Sequence, residues 1–300
     1  MISVFGSANM DLVAYVDVAP ALGETVTGRA FRTVPGGKGA NQAVAAARAG
    51  AAVAFLGAVG DDAFGTEMRR TLTEAGVDAT HLRTVPGPSG IAQIVVDGDG
   101  GNSIIVVPGA NGTVTAPSEA EIEVISRSDM LLLQLELPIE AVTAAARAAR
   151  AAGTTVVLTP APVQPLPAEL LEAVDILVAN EHEASAITGL AGHEAALEKL
   201  RGEVGWVIIT LGARGALTAS GDGPAVRVEA PTVAVVDTTA AGDTFVGALA
   251  AARVERQPVE RAVRFATAAA GLSVQRAGAS TSMPTRAEID GSLAADEGGL

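Results

Sequence analysis

Val236-Asp237-Thr238-Thr239-Ala240-Ala241-Gly242-Asp243-Thr244-Phe245 decides how this chain is read. The apolar residues before it predict the end of a strand, and the small residues predict a tight turn. Asp243 then opens an Ala-rich helix. A helix start gathers free backbone N–H groups at one spot, and the helix dipole makes that spot attractive to an anion such as a phosphate. A carboxylate there does nothing to hold phosphate, but it suits the removal of a proton from an attacking hydroxyl. Asp is also a common helix cap, so the segment taken alone reads equally well as a capped strand-turn-helix.

Working outward, short apolar runs alternate with helical patterns. Ile2–Phe5, Val53–Val59, Met130–Gln134, Thr155–Thr159, Ile176–Ala179 and Val207–Leu211 read as buried, mostly parallel strands. Helices are expected near 40–49, 63–75, 119–127, 138–152 and 194–202, then over 243–254 and 259–274 and after Pro284. This alternation predicts a three-layer α/β/α fold around a mostly parallel central sheet. Two regions break the rhythm. Leu12–Val18 with Glu24–Val34, and Ile91–Val96 with Ser103–Val107, read as strands joined by turns such as Asp97-Gly98-Asp99-Gly100-Gly101. With no helices of their own, these strands (about 12–34 and 91–107) are expected to project as a small β-sheet lid. An uncovered sheet face is a liability in a monomer, so a homodimer through this lid is expected. No repeat or long linker marks a second unit, and residues 1–300 read as one domain with a frayed tail over Ala294–Leu300.

Composition narrows the chemistry. The formal net charge of −14 argues against nucleic acid and anionic membranes as partners. No apolar run reaches the ~20 residues of a membrane span, and the start lacks the pattern of a signal peptide. Cysteine is absent, which excludes disulfides and thiolate metal sites and makes the cytoplasm the expected location. His81, His182 and His193 match no triad or metal spacing, so a carboxylate is left as the base.

Further motifs fall where strands end, the place where open α/β sheets bind ligands. Gly6-Ser7-Ala8-Asn9-Met10-Asp11 follows the first strand; Asn9 and Asp11 suit vicinal hydroxyls, although both residue types also favour turns. Of the chain's basic residues only Lys38 and Lys199 are lysines, and Lys38 stands in Gly37-Lys38-Gly39-Ala40-Asn41-Gln42. A compact ammonium in a glycine turn suits close contact with a hydroxyl or phosphate oxygen. Gly39, where a Ser or Thr would follow Lys38, and Gln42, where the last glycine would stand, spoil the two common phosphate-loop signatures, so this turn is expected to approach a sugar instead. Thr210-Leu211-Gly212-Ala213-Arg214-Gly215 and Asn180-Glu181-His182-Glu183 end adjacent strands and suit a nucleotide, with Asn180 near its phosphates and their magnesium. Glu181 and Glu183 also read as ordinary first-turn helix charges.

In this order, Gly-Gly-Lys-Gly-Ala-Asn-Gln near the start and Asp-Thr-Thr-Ala-Ala-Gly-Asp-Thr-Phe near the end, the motifs resemble the ribokinase branch of the PfkB-type sugar kinases over almost the whole chain. The resemblance implies sugar contacts from Asn9, Asp11, Gly37, Lys38, Gly39, Ala40, Asn41, Glu136 and Asp243. It implies nucleotide contacts from Asn180, Thr210, Leu211, Gly212, Ala213, Arg214, Gly215 and Thr267. Ala241, Gly242 and the N–H of Asp243 match the family's anion hole, and the Asp243 side chain its catalytic base. A potassium ion is implied beside that hole, at Asp237, Thr239, Ser273, Arg276, Gly278 and Ser282, mostly through backbone carbonyls. Two departures stand out: Thr159 replaces an Asn common before Pro-Ala-Pro, and Thr267 replaces a larger side chain against adenine.

The implied reaction moves the γ-phosphoryl of MgATP to the 5-hydroxyl of D-ribose. Rival readings are a kinase for 2-deoxyribose or adenosine, and a non-catalytic sugar or nucleotide sensor on the same fold. A Rossmann dehydrogenase fits the alternation but lacks the dinucleotide fingerprint after the first strand.

Overall fold

The computed structural model describes residues 1–298. From the amino end the chain forms β1 (Ile2–Phe5), the hairpin β2 (Asn9–Tyr15) and β3 (Ala30–Gly36), and helix α1 (Lys38–Arg48). Next come β4 (Val53–Gly60), α2 (Ala63–Glu74), β5 (Leu82–Val85) and a second hairpin, β6 (Gly90–Val96) and β7 (Asn102–Val107). The middle alternates α3 (Glu119–Arg127), β8 (Met130–Leu133), α4 (Ile139–Ala152), β9 (Thr155–Leu158), α5 (Ala168–Leu171) and β10 (Ile176–Asn180). Helices α6 (Glu181–Thr188) and α7 (His193–Leu200) lead to β11 (Trp206–Thr210), β12 (Ala216–Ser220) and β13 (Val226–Val228). Helices α8 (Ala241–Val254), α9 (Val259–Ser273) and α10 (Arg286–Gly298) follow.

Alternate residues of each inner strand feed two separate apolar layers. Ile2, Val4, Leu132, Val178 and Ile208 pack on one face with α1, α8 and α9. Phe5, Leu131, Leu133, Leu177, Val207 and Ile209 pack on the other with α4 and α7. Burial on both faces is why these strands read as unbroken apolar runs. The sheet order is β13-β12-β11-β10-β9-β8-β1-β4-β5. Neighbours from β11 to β5 are parallel, and β12 and β13 add an antiparallel edge. This is the expected three-layer fold.

The lid is a separate sheet in the order β3-β2-β6-β7, with β2 and β6 parallel at its centre. The Asp97 turn forms as expected: Asp97 N–H donates to the Gly101 carbonyl at 2.9 Å, and Gly101 N–H to the Asp97 carboxylate at 2.8 Å. The first lid strand starts earlier than its alternation suggested. Asn9 pairs with Gly36 on one side and Gly90 on the other, so the strand begins at Asn9 and not at Leu12. Residues 24–29 lie outside the strands, and the partner strand begins at Ala30.

The strand expected before Asp237 does not form. Val235 and Val236 are 59% and 64% exposed, and the N–H groups of Val236 and Asp237 both donate to the Val274 carbonyl beyond α9. That attachment ties the segment to the end of α9. The tail expected to fray over Ala294–Leu300 is helical through Gly298, and its last two residues lie outside the described residues.

Candidate active site

Two glycines let the start of α1 touch the β1–β2 connection. A Cβ on Gly37, whose φ is 91°, would stand 2.7 Å from the Asn9 backbone nitrogen. One on Gly39 would stand 2.7 Å from that of Ser7. This contact delivers Asn9, Asp11 and Lys38 to one place. Glu136, in the segment after β8, binds them together: its Oε2 accepts from the Lys38 N–H at 3.0 Å and from Asn9 Nδ2 at 3.5 Å. The Ser7 hydroxyl donates to the same oxygen. Asn111 fixes Asn9 from behind, donating to Asn9 Oδ1 at 2.7 Å while exchanging hydrogen bonds with the Ala8 backbone. Ser7 and Asn111 were not among the expected site residues.

Asp243 occupies the third position of α8 and caps nothing, so the reading of it as an N-cap is wrong. The cap is Ala240, in the left-handed region at φ 57°, without a side-chain hydrogen bond. Ala241 N–H donates to the Thr238 carbonyl at 3.2 Å. Among the described residues the N–H groups of Gly242 and Asp243 have no acceptor, so these two, without Ala241, remain for an anion. The Asp243 carboxylate accepts one amide on each oxygen. Asn41 Nδ2 lies 3.1 Å from Oδ2, and Gln42 Nε2 lies 3.1 Å from Oδ1. Asn41, expected to touch sugar, commits one amide donor to the carboxylate.

One ammonium sits among several acids. Burial pushes Asp243 up to about 6, against the Lys38 ammonium and the two amide hydrogen bonds, which favour its charged form. Asp11 rises to about 7, through burial first and then repulsion from Glu136 and Asp243. Burial opposes the charge of Lys38, but Asp243, Glu136, Glu183 and Asp11 outweigh it and hold the ammonium above its ordinary value.

A cleft of about 190 Å³ runs from Lys38 and Asp243 along the carboxyl ends of β9, β10 and β11. Thr159, Asn180, Glu183, Thr210, Ala241 and Gly242 line it. Glu183 does more than its place in a first turn suggested: it completes a capping box with Asn180 and faces this cleft. Leu211 and Gly212–Gly215 continue past Thr210, outside the lining, in a turn with positive φ at Gly212 and Gly215. Arg214 is paired with Glu181. Thr267 does not line the cleft; it is buried on α9 with its hydroxyl donating to the Val263 carbonyl at 2.8 Å. A larger cavity of about 420 Å³, between Val163–Leu166 and α7, shares no residue with the cleft and none of these acids.

Of the positions implied for potassium, Asp237, Thr239 and Gly278 come together. The Asp237 carboxylate accepts from Thr239 N–H and from Gly278 N–H, both at 2.9 Å. Burial raises its pKa, but these bonds and the Thr239 hydroxyl win and hold it below the ordinary value. The hydroxyls of Ser273 and Ser282 turn to the Ala270 and Ala279 carbonyls, and Arg276 pairs with Glu288. Among the described residues no group of three or more His, Cys, Asp or Glu could hold a metal ion.

A buried carboxylate that takes up a proton near neutrality, beside an ammonium and two free N–H groups, is equipped to activate a hydroxyl and steady a transferring anion. The profile of the pfkB family carbohydrate kinases matches residues 1–286, and the chain belongs to that family. It is 42% identical to a ribokinase of Schizosaccharomyces pombe over 97% of both chains. It is 43% identical to a ribokinase of Bacillus subtilis, covering 96% of this chain and 98% of that one. The solved structure of Arabidopsis thaliana ribokinase complexed with ribose and ATP superposes with a TM-score of 0.92, at 36% identity over 97% of this chain and 98% of that chain.

Proposed function

We propose that this chain transfers the γ-phosphoryl group of MgATP to the 5-hydroxyl of D-ribose, giving ribose 5-phosphate and ADP. The observation that carries the reading is the Asp243 carboxylate, clamped by Asn41 and Gln42 in a cleft it shares with Lys38 and the N–H groups at the start of α8. Asn9, Asp11 and Glu136 supply acceptors and one amide for the ring hydroxyls. Asn180 and Thr210 lie toward the nucleotide, with the turn Leu211–Gly215 at its outer end.

In the reaction the ribose O5–Pγ bond forms as the bond from Pγ to the β-phosphate oxygen breaks. The O5 proton passes to Asp243, and the electron pair leaves with ADP. The transition state is loose, so the hydroxyl loses its proton late and a carboxylate of modest basicity suffices. The N–H groups of Gly242 and Asp243 and the Lys38 ammonium face the charge on the migrating group. Lid closure over the sugar keeps water from taking its place.

Magnesium travels with the phosphates, and the oxygens of Asn180 and Glu183 suit a hard cation. The proposed potassium site fits the 237–239 turn, where the carbonyls of Asp237 and Thr239 accept no hydrogen bond among the described residues. Such an ion, when bound, supplies positive charge that steadies the turn leading into α8.

A homodimer through the lid is part of the proposal. Phe31, Ile105 and Val107, which the strand register sets on one face of the lid, are 46–63% exposed, an apolar surface that a second copy would cover. The absence of cysteine agrees with work in the cytoplasm.

The test is ADP release over a panel of ribose, 2-deoxyribose, other pentoses and adenosine, with the phosphorylated product identified. Ribose is expected to lead, with phosphate on O5. Preference for a nucleoside, or no turnover with any acceptor, would overturn the assignment.

A further inference from the structure

We propose that Gln42 is a positioning residue for the reaction: its side-chain amide fixes the rotation of the Asp243 carboxylate, keeping an oxygen turned toward the acceptor hydroxyl. The inference rests on the reading of Asp243 as the base.

Gln42 is fully buried on α1 and does not line the cleft, so it has no surface to offer a substrate. Its Nε2 lies 3.1 Å from Asp243 Oδ1, while Asn41 holds Oδ2. The terminal torsion of a carboxylate is broad, and a donor on one oxygen alone leaves it free to swing. One amide on each oxygen removes that freedom.

The orientation of Gln42 is itself determined. Gln134 Nε2 donates to Gln42 Oε1 at 2.6 Å, and Gln42 Nε2 also reaches Thr159 Oγ1 at 3.3 Å. A reversed amide would set its carbonyl against the carboxylate and its NH₂ against that of Gln134. Gln134 is 1% exposed and its Oε1 has no hydrogen-bond partner. A Cβ on Gly6 would stand 2.1 Å from that oxygen, so Gly6 is what leaves room for it. A buried amide with half its capacity unused is costly, which marks the relay Gln134–Gln42–Asp243 as more than packing.

A neutral amide also suits the task chemically. It holds a carboxylate without removing its affinity for a proton, whereas a cation in the same place would depress that affinity further. The charged groups facing Asp243 are Lys38 from α1, Glu136 from the segment after β8, and Asp11 from β2. All three remain when Gln42 is replaced.

The test is Gln42→Met, which keeps length and bulk and removes the donor, with Gln134→Met as the variant that leaves Gln42 in place. Two measurements are made: the ¹³C titration of the Asp243 carboxyl without substrate, and kcat and KM across pH. Gln42→Met is expected to raise the Asp243 midpoint by roughly half a unit to one unit. It should lower kcat by up to about 10²-fold, move the acid limb of kcat upward and leave both KM values nearly unchanged. Gln134→Met should shift the same quantities in the same direction by less. A folded Gln42→Met protein with an unmoved midpoint and wild-type kcat overturns the proposal, as does a rise in KM at constant kcat. If Gln42→Met does not fold, Gln134→Met decides by the same readings. The titration needs no turnover, so a wild-type protein inactive on ribose would sink the assigned reaction and leave the relay to be judged on its own.

Discussion

A Cβ on Gly247 would stand 2.6 Å from the backbone nitrogen of Ala46. Helices α8 and α1 therefore meet backbone to backbone, one turn beyond Asp243 on the one and Gln42 on the other. Gly247→Ala is expected to force the helices apart and destabilise the fold by roughly 1–3 kcal/mol. Urea unfolding measures this, and kcat should fall with it because the Gln42–Asp243 contact lengthens. Unchanged stability would mean that α1 and α8 adjust freely, and the shared geometry of their side chains would lose its basis.

Asp237 and Gly278 are joined at 2.9 Å across the two loops proposed to hold potassium. Replacing sodium by potassium is expected to raise kcat, and Asp237→Ala to abolish most of the gain while the protein stays folded. Initial rates in matched chloride salts check it. Equal rates in both salts would remove the ion from the account.

Asp11 links function to stability through pH. Its folded pKa of about 7 lies above its ordinary value of 3.8, so the folded state binds the extra proton between these values. Stability contributed by this group falls as pH rises through that window and stays reduced above it. Asp11→Asn should raise the melting temperature at about pH 8 by more than near pH 4, while weakening sugar binding. Equal shifts at both pH values would show that Asp11 is not held in its protonated form.

Sugar discrimination should follow from groups left without partners. If Asn9 and Asp11 meet the 2- and 3-hydroxyls, 2-deoxyribose leaves a buried polar group unpaired. Its kcat/KM should then fall below that of ribose by a factor of up to ~10⁴. Equal efficiency on the two sugars would detach Asn9 and Asp11 from those hydroxyls.

Much of this architecture is legible in the sequence because its causes are local. Val207 and Ile209 face one layer and Ile208 the other, so β11 had to be apolar throughout. The glycines at 37 and 39 announce a close approach that the structure places against Asn9 and Ser7. The parts not foreseen depend on distant partners. Gln42 meets Asp243 201 residues away, and Asn111 meets Asn9 102 residues away. A lone buried amide carries no periodic signal, so only the fold exposes its role. The misread strand before Asp237 shows the converse: Val235 and Val236 are apolar but exposed, and the backbone at Val236 is held by Val274 rather than by a sheet.

The most direct test of the central claim is turnover by Asp243→Asn. The amide keeps the size of the side chain but cannot take a proton, and its NH₂ gives up the hydrogen bond from one of Asn41 and Gln42. Rates of ADP and ribose 5-phosphate formation should fall by roughly 10²–10⁴-fold, in a protein that remains folded. An Asp243→Asn protein that phosphorylates ribose at near the wild-type rate would contradict the account, because nothing else at the start of α8 could then be receiving the proton.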